Sequence, residues 1–204
     1  MSRPSVEAER REQILRAVCE VVSEKGYKSL RVADVAKRAK ISSGSVHYYF
    51  ETKDDLLQAA FEWNFAHSLE RRASILGSGA NALDRLRLYV DSFLPNEKET
   101  TASWHVWAEL WVAALHDPVL RELNERVYGE WRAMIVEIIR IGQAEGVIVE
   151  GDPVLLANAL ISTIDGLAIQ VLLRSKHVTS GRVRETCGYL IDGMTVEVKG
   201  LNSA

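Results

Sequence analysis

Apolar positions recur every three or four residues along almost the whole chain, the spacing of one helix face, and no stretch alternates as a strand does. Ile14, Val18, Val21 and Val22 define a first helix, closed at Gly26 as a C-terminal cap. A short second helix follows over Val32–Ala39, with Val32, Val35, Ala36 and Ala39 inward. After a turn at Lys40 and Ile41 comes a third, Ser43–Tyr49, with Ser42 placed to cap it. The fourth starts after Thr52, where Thr52-Lys53-Asp54-Asp55 resembles a capping box with Asp in place of Glu, and runs to about Ser74. "GSGAN" (77–81) is the clearest break. Further helices are predicted over Ala82–Phe93, Ser103–Leu115 and Pro118–Glu145, the last kinked at Gly129 or ended at Gly142. Asp152 and Pro153 start another, as N-cap and first helical residue, which continues to about Ser175. A final helix covers about Ser180–Val196. The fold class is all-α, with a small N-terminal three-helix bundle and a larger C-terminal one.

The 204 residues suit one large domain or two small ones sharing a core. No run of about 18 apolar residues exists, so no membrane span is expected, and the polar N-terminus carries no signal-peptide core. Cys19 and Cys187 sit within apolar helical patterns, where a thiol serves as a small buried hydrophobe. A cytoplasmic protein is expected. Net charge is −3, yet residues 1–50 hold ten Lys and Arg (Arg3 among them) against six Asp and Glu. That is a net of +4, which leaves −7 for the remainder. A basic head on an acidic body points to a polyanion-binding end.

The stretch "KISSGSVHYYFETK" (40–53) does not suit a core helix, because its aromatic residues run consecutively around the axis. Two short helices joined by a tight turn and packed on a longer one match the helix-turn-helix plan, whose second helix enters the DNA major groove. Ser43, Gly44 and Ser45 are small enough for close approach, and the hydroxyls can bond bases or phosphates. His47 and Tyr48 can bond phosphates or pack on thymine methyls. Val46, Tyr49 and Phe50 have the spacing to anchor the helix, with Tyr49 also able to reach a phosphate. Lys53 adds an ammonium to the free N–H groups of the fourth helix, a phosphate clamp.

Residues 11–61, "REQILRAVCEVVSEKGYKSLRVADVAKRAKISSGSVHYYFETKDDLLQAAF", closely resemble the DNA-binding domain of the TetR family of one-component bacterial regulators. The resemblance implies a homodimer with a helix-turn-helix DNA-binding domain (1–55) and a C-terminal ligand-binding and dimerisation domain (56–204). It implies DNA contacts from Ser43, Ser45, His47, Tyr48 and Lys53. Two positions depart from the family pattern. Lys40 stands where the turn usually has Gly; a left-handed Lys costs about 1 kcal/mol and offers a phosphate contact. Arg31 stands where Ser or Thr commonly caps the second helix, so a cap is lost and a cationic arm gained.

Trp104, Trp107 and Trp111 form one stripe of helix 103–115, either as core or as the wall of a cavity. With Tyr89, Phe93, Tyr128 and Trp131 they are the candidate ligand-binding set for a small apolar or cationic effector. Glu109 is a candidate counter-charge or a solvent-facing residue. "AELWVAALHDPVLRELNERVYGEWR" (108–132) and the later "ALISTIDGLAIQVLLRSK" resemble the BetI-like subgroup of the same family, which implies a quaternary-ammonium effector. The helices near 153–175 and 180–196 are rich in apolar residues, the first on more than one face. The resemblance implies a four-helix dimer interface through them, where Asp165 and Gly166 permit close approach. Such a dimer holds its recognition helices about 34 Å apart.

His47, His67, His105, His116 and His177 are scattered, with no i, i+4 pair for a metal, no phosphate-cradling Gly loop and no nucleophile elbow. No enzyme, cofactor or metal is expected. The expected function is a ligand-responsive DNA-binding regulator, a repressor released from a palindromic operator by a small molecule. A regulator without an effector, or an activator, are the alternatives.

Overall fold

The structure, a computed structural model, describes residues 6–196, so Arg3 of the basic head lies outside the described residues. Among the described residues the chain forms α1 (Val6–Lys25), α2 (Val32–Arg38), α3 (Ser43–Tyr49), α4 (Lys53–Leu76), α5 (Ala82–Phe93), α6 (Lys98–Ala114), α7 (Pro118–Ala144), α8 (Pro153–Leu172) and α9 (Ser180–Gly193).

Caps fix most of these starts. Ser42 Oγ accepts the Ser45 N–H at 3.0 Å. Thr52 and Asp55 close the expected box, the Thr52 N–H donating to Asp55 Oδ2 at 3.1 Å and the Asp55 N–H to Thr52 Oγ1 at 3.0 Å. Asp152 accepts from the Val154 N–H at 2.8 Å, with Pro153 behind it at the first helical position. Arg31 precedes α2 with no side-chain cap.

Four boundaries differ from the periodicity. α6 begins at Lys98 rather than Ser103, because Thr100 Oγ1 accepts the Glu97 N–H at 3.3 Å and starts the helix early. α7 continues through Gly129 and Gly142. α8 stops at Leu172 and is followed by left-handed Arg174 (φ 56°). α9 stops at Gly193, after which Thr195 pairs with Ile148 in an isolated antiparallel bridge.

By internal contacts the chain divides into two compact units, Met1–Glu70 with Glu97–Val127, and Arg71–Asn96 with Tyr128–Ala204. In the first unit α1 packs on α2 and α6, and α2 on α3. Its core holds Ile14, Val18, Val21 and Val22, each no more than 2% exposed. Arg38 ties α2 back to α1 through Glu20 at 2.8 Å and Glu24 at 2.5 Å. In the second unit α9 packs on α5 and α8. Gly142 lets two segments meet there, since a Cβ would lie 2.5 Å from Ile148 Cδ1 and 2.9 Å from Ala82 Cβ. Both cysteines are buried free thiols, and burial pushes Cys19 up to about 12 and Cys187 to about 11.

The absence of an unbroken apolar run did not reveal the character of α8. Its polar residues are few enough that, by length and apolar content, it matches a membrane span, and 28% of its most apolar window is buried. Much of that surface is therefore exposed in the single chain.

Candidate DNA interface and ligand cavity

The turn between α2 and α3 is a Schellman motif built on a lysine. Lys40 is left-handed (φ 54°), its N–H donates to Lys37 O at 3.2 Å, and the Ile41 N–H donates to Ala36 O at 3.0 Å. Gln13 of α1 holds the turn by donating to Ala39 O at 2.7 Å. The hydrogen-bonding pattern demands the conformation, so Lys40 adopts it at a cost of about 1 kcal/mol.

From that turn α3 stands out with its polar side free. Val46 and Phe50 are buried and anchor it, while Ser43, Gly44, His47 and Tyr48 are exposed, Tyr48 at 79%. Tyr49 is half-buried and meets Tyr48 edge to face, ring centroids 5.1 Å apart. The Ser45 hydroxyl is engaged with Ser42 Oγ at 2.9 Å. Lys53 opens α4 with its ammonium 5.4 Å from the Tyr27 ring centroid, a cation–π placement. An open cleft of about 710 Å³ is lined by Arg10, Lys40, Ile41, Ser42, Gly44, Ser45, Tyr48 and Tyr49. Two cations, two tyrosines and several hydroxyls in one groove suit a phosphodiester backbone.

The aromatic candidates fall into two groups. Trp104, Trp107 and Trp111 belong to the first unit. Trp104 and Trp107 are buried and Trp111 is half-buried; Trp104 meets Trp111 edge-on with centroids 6.1 Å apart, and Trp107 meets Phe65 at 6.3 Å. Beside them Ser103 donates to buried Asn64 Oδ1 at 2.8 Å. Glu109 is half-buried, close to Gly26.

Tyr89, Phe93, Tyr128 and Trp131 belong to the second unit. Their rings form a chain, with centroids 4.9 Å from Tyr89 to Phe93, 5.4 Å from Phe93 to Trp131 and 5.6 Å from Trp131 to Tyr128. Tyr89, Phe93 and Trp131 line a cavity of about 10 Å³ with Ile161, Ile164 and Asp165. Asp165 is held there by the Tyr128 hydroxyl, which donates to Oδ2 at 2.6 Å. Burial pushes the Asp165 carboxyl up to about 6, with the Tyr128 hydrogen bond acting in the opposite direction. The Tyr89 hydroxyl is buried with no hydrogen-bond partner among the described residues, and burial raises its pKa as well. The Arg72 guanidinium stacks 3.3 Å from the Phe93 centroid and donates to Ser92 Oγ at 2.9 Å and Ser92 O at 2.8 Å. Desolvation lowers that guanidinium to about 9.

Comparison with known proteins decides the family. A model of the BetI-type transcriptional repressor C-terminal domain matches residues 82–196, and one of the bacterial regulatory proteins of the tetR family matches residues 14–60. The chain belongs to the TetR family, in its BetI-type branch. The HTH-type transcriptional regulator BetI of Stenotrophomonas maltophilia is 31% identical over 172 residues, which are 82% of this chain and 83% of that one. A transcriptional regulator from Saccharomonospora viridis, solved in complex with choline, has a TM-score of 0.87 at 31% identity and covers 93% of this chain and 98% of its own. A TetR-family regulator from Rhodococcus sp. has a TM-score of 0.80 at 28% identity, over 92% of this chain and 99% of its own.

As a TetR-family member the protein is a DNA-binding transcriptional regulator, and its relatives are regulators rather than enzymes. Of the residues singled out from the sequence, Lys40, Gly44, Ser45, Tyr48 and Tyr49 share the cleft. Ser43 and His47 are exposed on the same short helix, and Arg31 and Lys53 begin α2 and α4. Arg10 lines the cleft without having been singled out, its only sequence mark being the basic pair Arg10-Arg11. Asp165, expected with Gly166 at a close helix approach, is half-buried and accepts from the Tyr128 hydroxyl, while Gly166 is exposed. The sign in the sequence was a lone carboxylate in a helix with no other charged residue.

Proposed function

We propose that this TetR-family regulator is a repressor that binds a palindromic operator as a homodimer in the cytoplasm and is released by a small organic cation. Residues 1–55 serve DNA, and residues 56–204 serve ligand and dimerisation. Ser43, Gly44, Ser45, His47, Tyr48 and Tyr49 enter the major groove, with Arg31, Lys40 and Lys53 on phosphates. Arg10 joins the phosphate contacts. α8 and α9 pair across a two-fold axis. In support, Leu155, Ala159, Ser162, Gly166, Ile169 and the cap residue Leu173 recur in alternating steps of four and three, all exposed or half-exposed, with Tyr189 of α9 79% exposed.

The observation that carries the effector reading is Asp165, a half-buried carboxyl beside Tyr89, Phe93, Tyr128 and Trp131. Aromatic faces and one carboxylate are what a quaternary ammonium needs. The choline complex of the S. viridis relative supports that class. Coupling runs through α4. A cation that parts Phe93 from Trp131 must displace Arg72, which stacks on Phe93 from α4. The same helix begins with Lys53 at the DNA face.

The test is enrichment of random-sequence DNA on the full chain, followed by titration of the retained sequence with choline. A palindrome with half-sites about 34 Å apart is expected. Choline is expected to weaken operator binding by about 5- to 150-fold, and operator to weaken choline binding by the same factor. No enriched motif, or choline binding that leaves operator affinity unchanged, refutes the reading. One observation favours a second reading, a regulator without an effector. The cavity of about 10 Å³ has room for about one water, against roughly 300–1,000 Å³ for typical ligand pockets. Absence of binding by any small cation, with operator binding intact, would support it.

A further inference from the structure

The cavity beside Asp165 joins three things that are expensive to keep together without a purpose. A half-buried carboxyl lines a cavity with aromatic and aliphatic side chains. Among the described residues no ion pair compensates its charge, and its one polar partner is the Tyr128 hydroxyl. The Tyr89 hydroxyl lines the same cavity with no partner. Replacing buried charge by a hydrophobe is often neutral or stabilising, so a lone carboxyl in such a place is weak as a structural device.

Resting on the cationic-effector reading, we propose that Asp165 is the counter-charge of the effector, so that in acid a cation enters in exchange for the Asp165 proton. The balance is simple. The ammonium brings one positive charge in, the carboxyl releases one proton to solvent, and the net charge of the cavity does not change. In acid the site therefore holds no uncompensated ion, whether empty or filled. A neutral molecule of the same shape displaces no proton and gains no counter-charge.

The neighbours of the carboxyl support this exchange. From α7 Tyr128 donates a hydrogen bond, which favours the anion. From α5 Tyr89 contributes a phenol that feels the Asp165 charge and itself stays neutral. Arg72 acts on Tyr89 and not on Asp165, and no charged side chain of α9, which packs along α8, acts on it either. Burial is the dominant influence, and it sets the empty-site value at about 6. A bound cation lies against the carboxylate and lowers that value, so binding is linked to pH.

The experiment uses the full chain and choline chloride as probe, with 3,3-dimethylbutan-1-ol as the uncharged isostere. Calorimetric titrations are run from pH 5 to pH 8, each in two buffers of different ionisation enthalpy. Choline is expected to bind about tenfold more weakly at pH 5 than at pH 8, and to release about one proton at pH 5 and almost none at pH 8. The isostere should show neither effect. Asp165→Asn should bind choline more weakly and without pH dependence. Tyr128→Phe removes the bond that favours the anion, so it should move the midpoint of the choline profile to higher pH. That variant decides the matter if Asp165→Asn fails to fold. Choline binding that is equally tight from pH 5 to pH 8 with no proton release overturns the exchange while leaving the effector reading standing. If neither probe binds at any pH although operator DNA is still bound, the effector reading itself falls and takes the exchange with it.

Discussion

Asp165→Asn offers a test of the cavity that needs no ligand. In the folded protein burial raises the carboxyl from the ordinary aspartate value of 3.8 to about 6. At about 1.36 kcal/mol per pH unit this corresponds to roughly 3 kcal/mol, as an order of magnitude. The sign follows from which state binds the proton more tightly. The folded chain does, so the native state is favoured by this group below about pH 3.8, and that advantage is lost as pH rises through about 6. Above that pH the full cost of a buried carboxylate is present. Asparagine cannot ionise, and its carbonyl still accepts from the Tyr128 hydroxyl, so the variant escapes the cost. Its amide NH2 group goes unpaired, a penalty of about 1–3 kcal/mol that does not vary with pH. The difference in stability between variant and wild type should therefore shift in the variant's favour by about 2.5 kcal/mol between pH 4 and pH 7.5. Urea unfolding followed by circular dichroism measures it, at one fixed protein concentration because association shifts apparent stability. A difference that stays flat across that window would refute the assignment of a buried, uncompensated carboxyl.

Lys53→Ala is expected to weaken binding to all DNA sequences alike and to lower the slope of log affinity against log salt by about one unit, measured by fluorescence anisotropy. Loss of sequence preference with an unchanged slope would assign Lys53 to base reading instead. At the left-handed turn, Lys40→Gly should be more stable than Lys40→Ala by about 1 kcal/mol in thermal melts, although both remove the proposed phosphate contact. Equal melting would mean that the turn is not left-handed in solution. Gly142→Ala should destabilise by about 1–3 kcal/mol in urea titrations, because the added methyl meets Ile148 and Ala82. A neutral effect would show that Ile148 has room to move.

What the sequence disclosed, and what it hid, divides along the range of the forces involved. The head was legible because its elements are set locally. Ser42 caps α3, Thr52 and Asp55 cap α4, and the apolar stripe of α1 lies where its spacing puts it. The start of α6 was missed because Thr100 and Glu97 exchange the usual roles of a capping box, a weak pattern beside the stronger apolar run that begins at Ser103. The aromatic residues were identified by type, yet their division between two units depends on which half of α4 and α7 packs with which neighbours, and no local pattern records that. The partner of Asp165 was hidden for the same reason. The Tyr128 hydroxyl that it accepts from lies 37 positions away in the chain, and no local pattern records that approach.

The outward stripe of α8 also bears on fidelity in a cell that holds several regulators of this architecture. Its middle is Ala159, Ser162 and Gly166, so two copies that meet there can bring their backbones very close. A paralogue with one bulky side chain at any of these three places would pry the seam open and forfeit most of its contact. In the proposed dimer, self-pairing is thereby favoured over mixed pairing, and each half of the proposed palindrome is read by the same recognition helix as its mate.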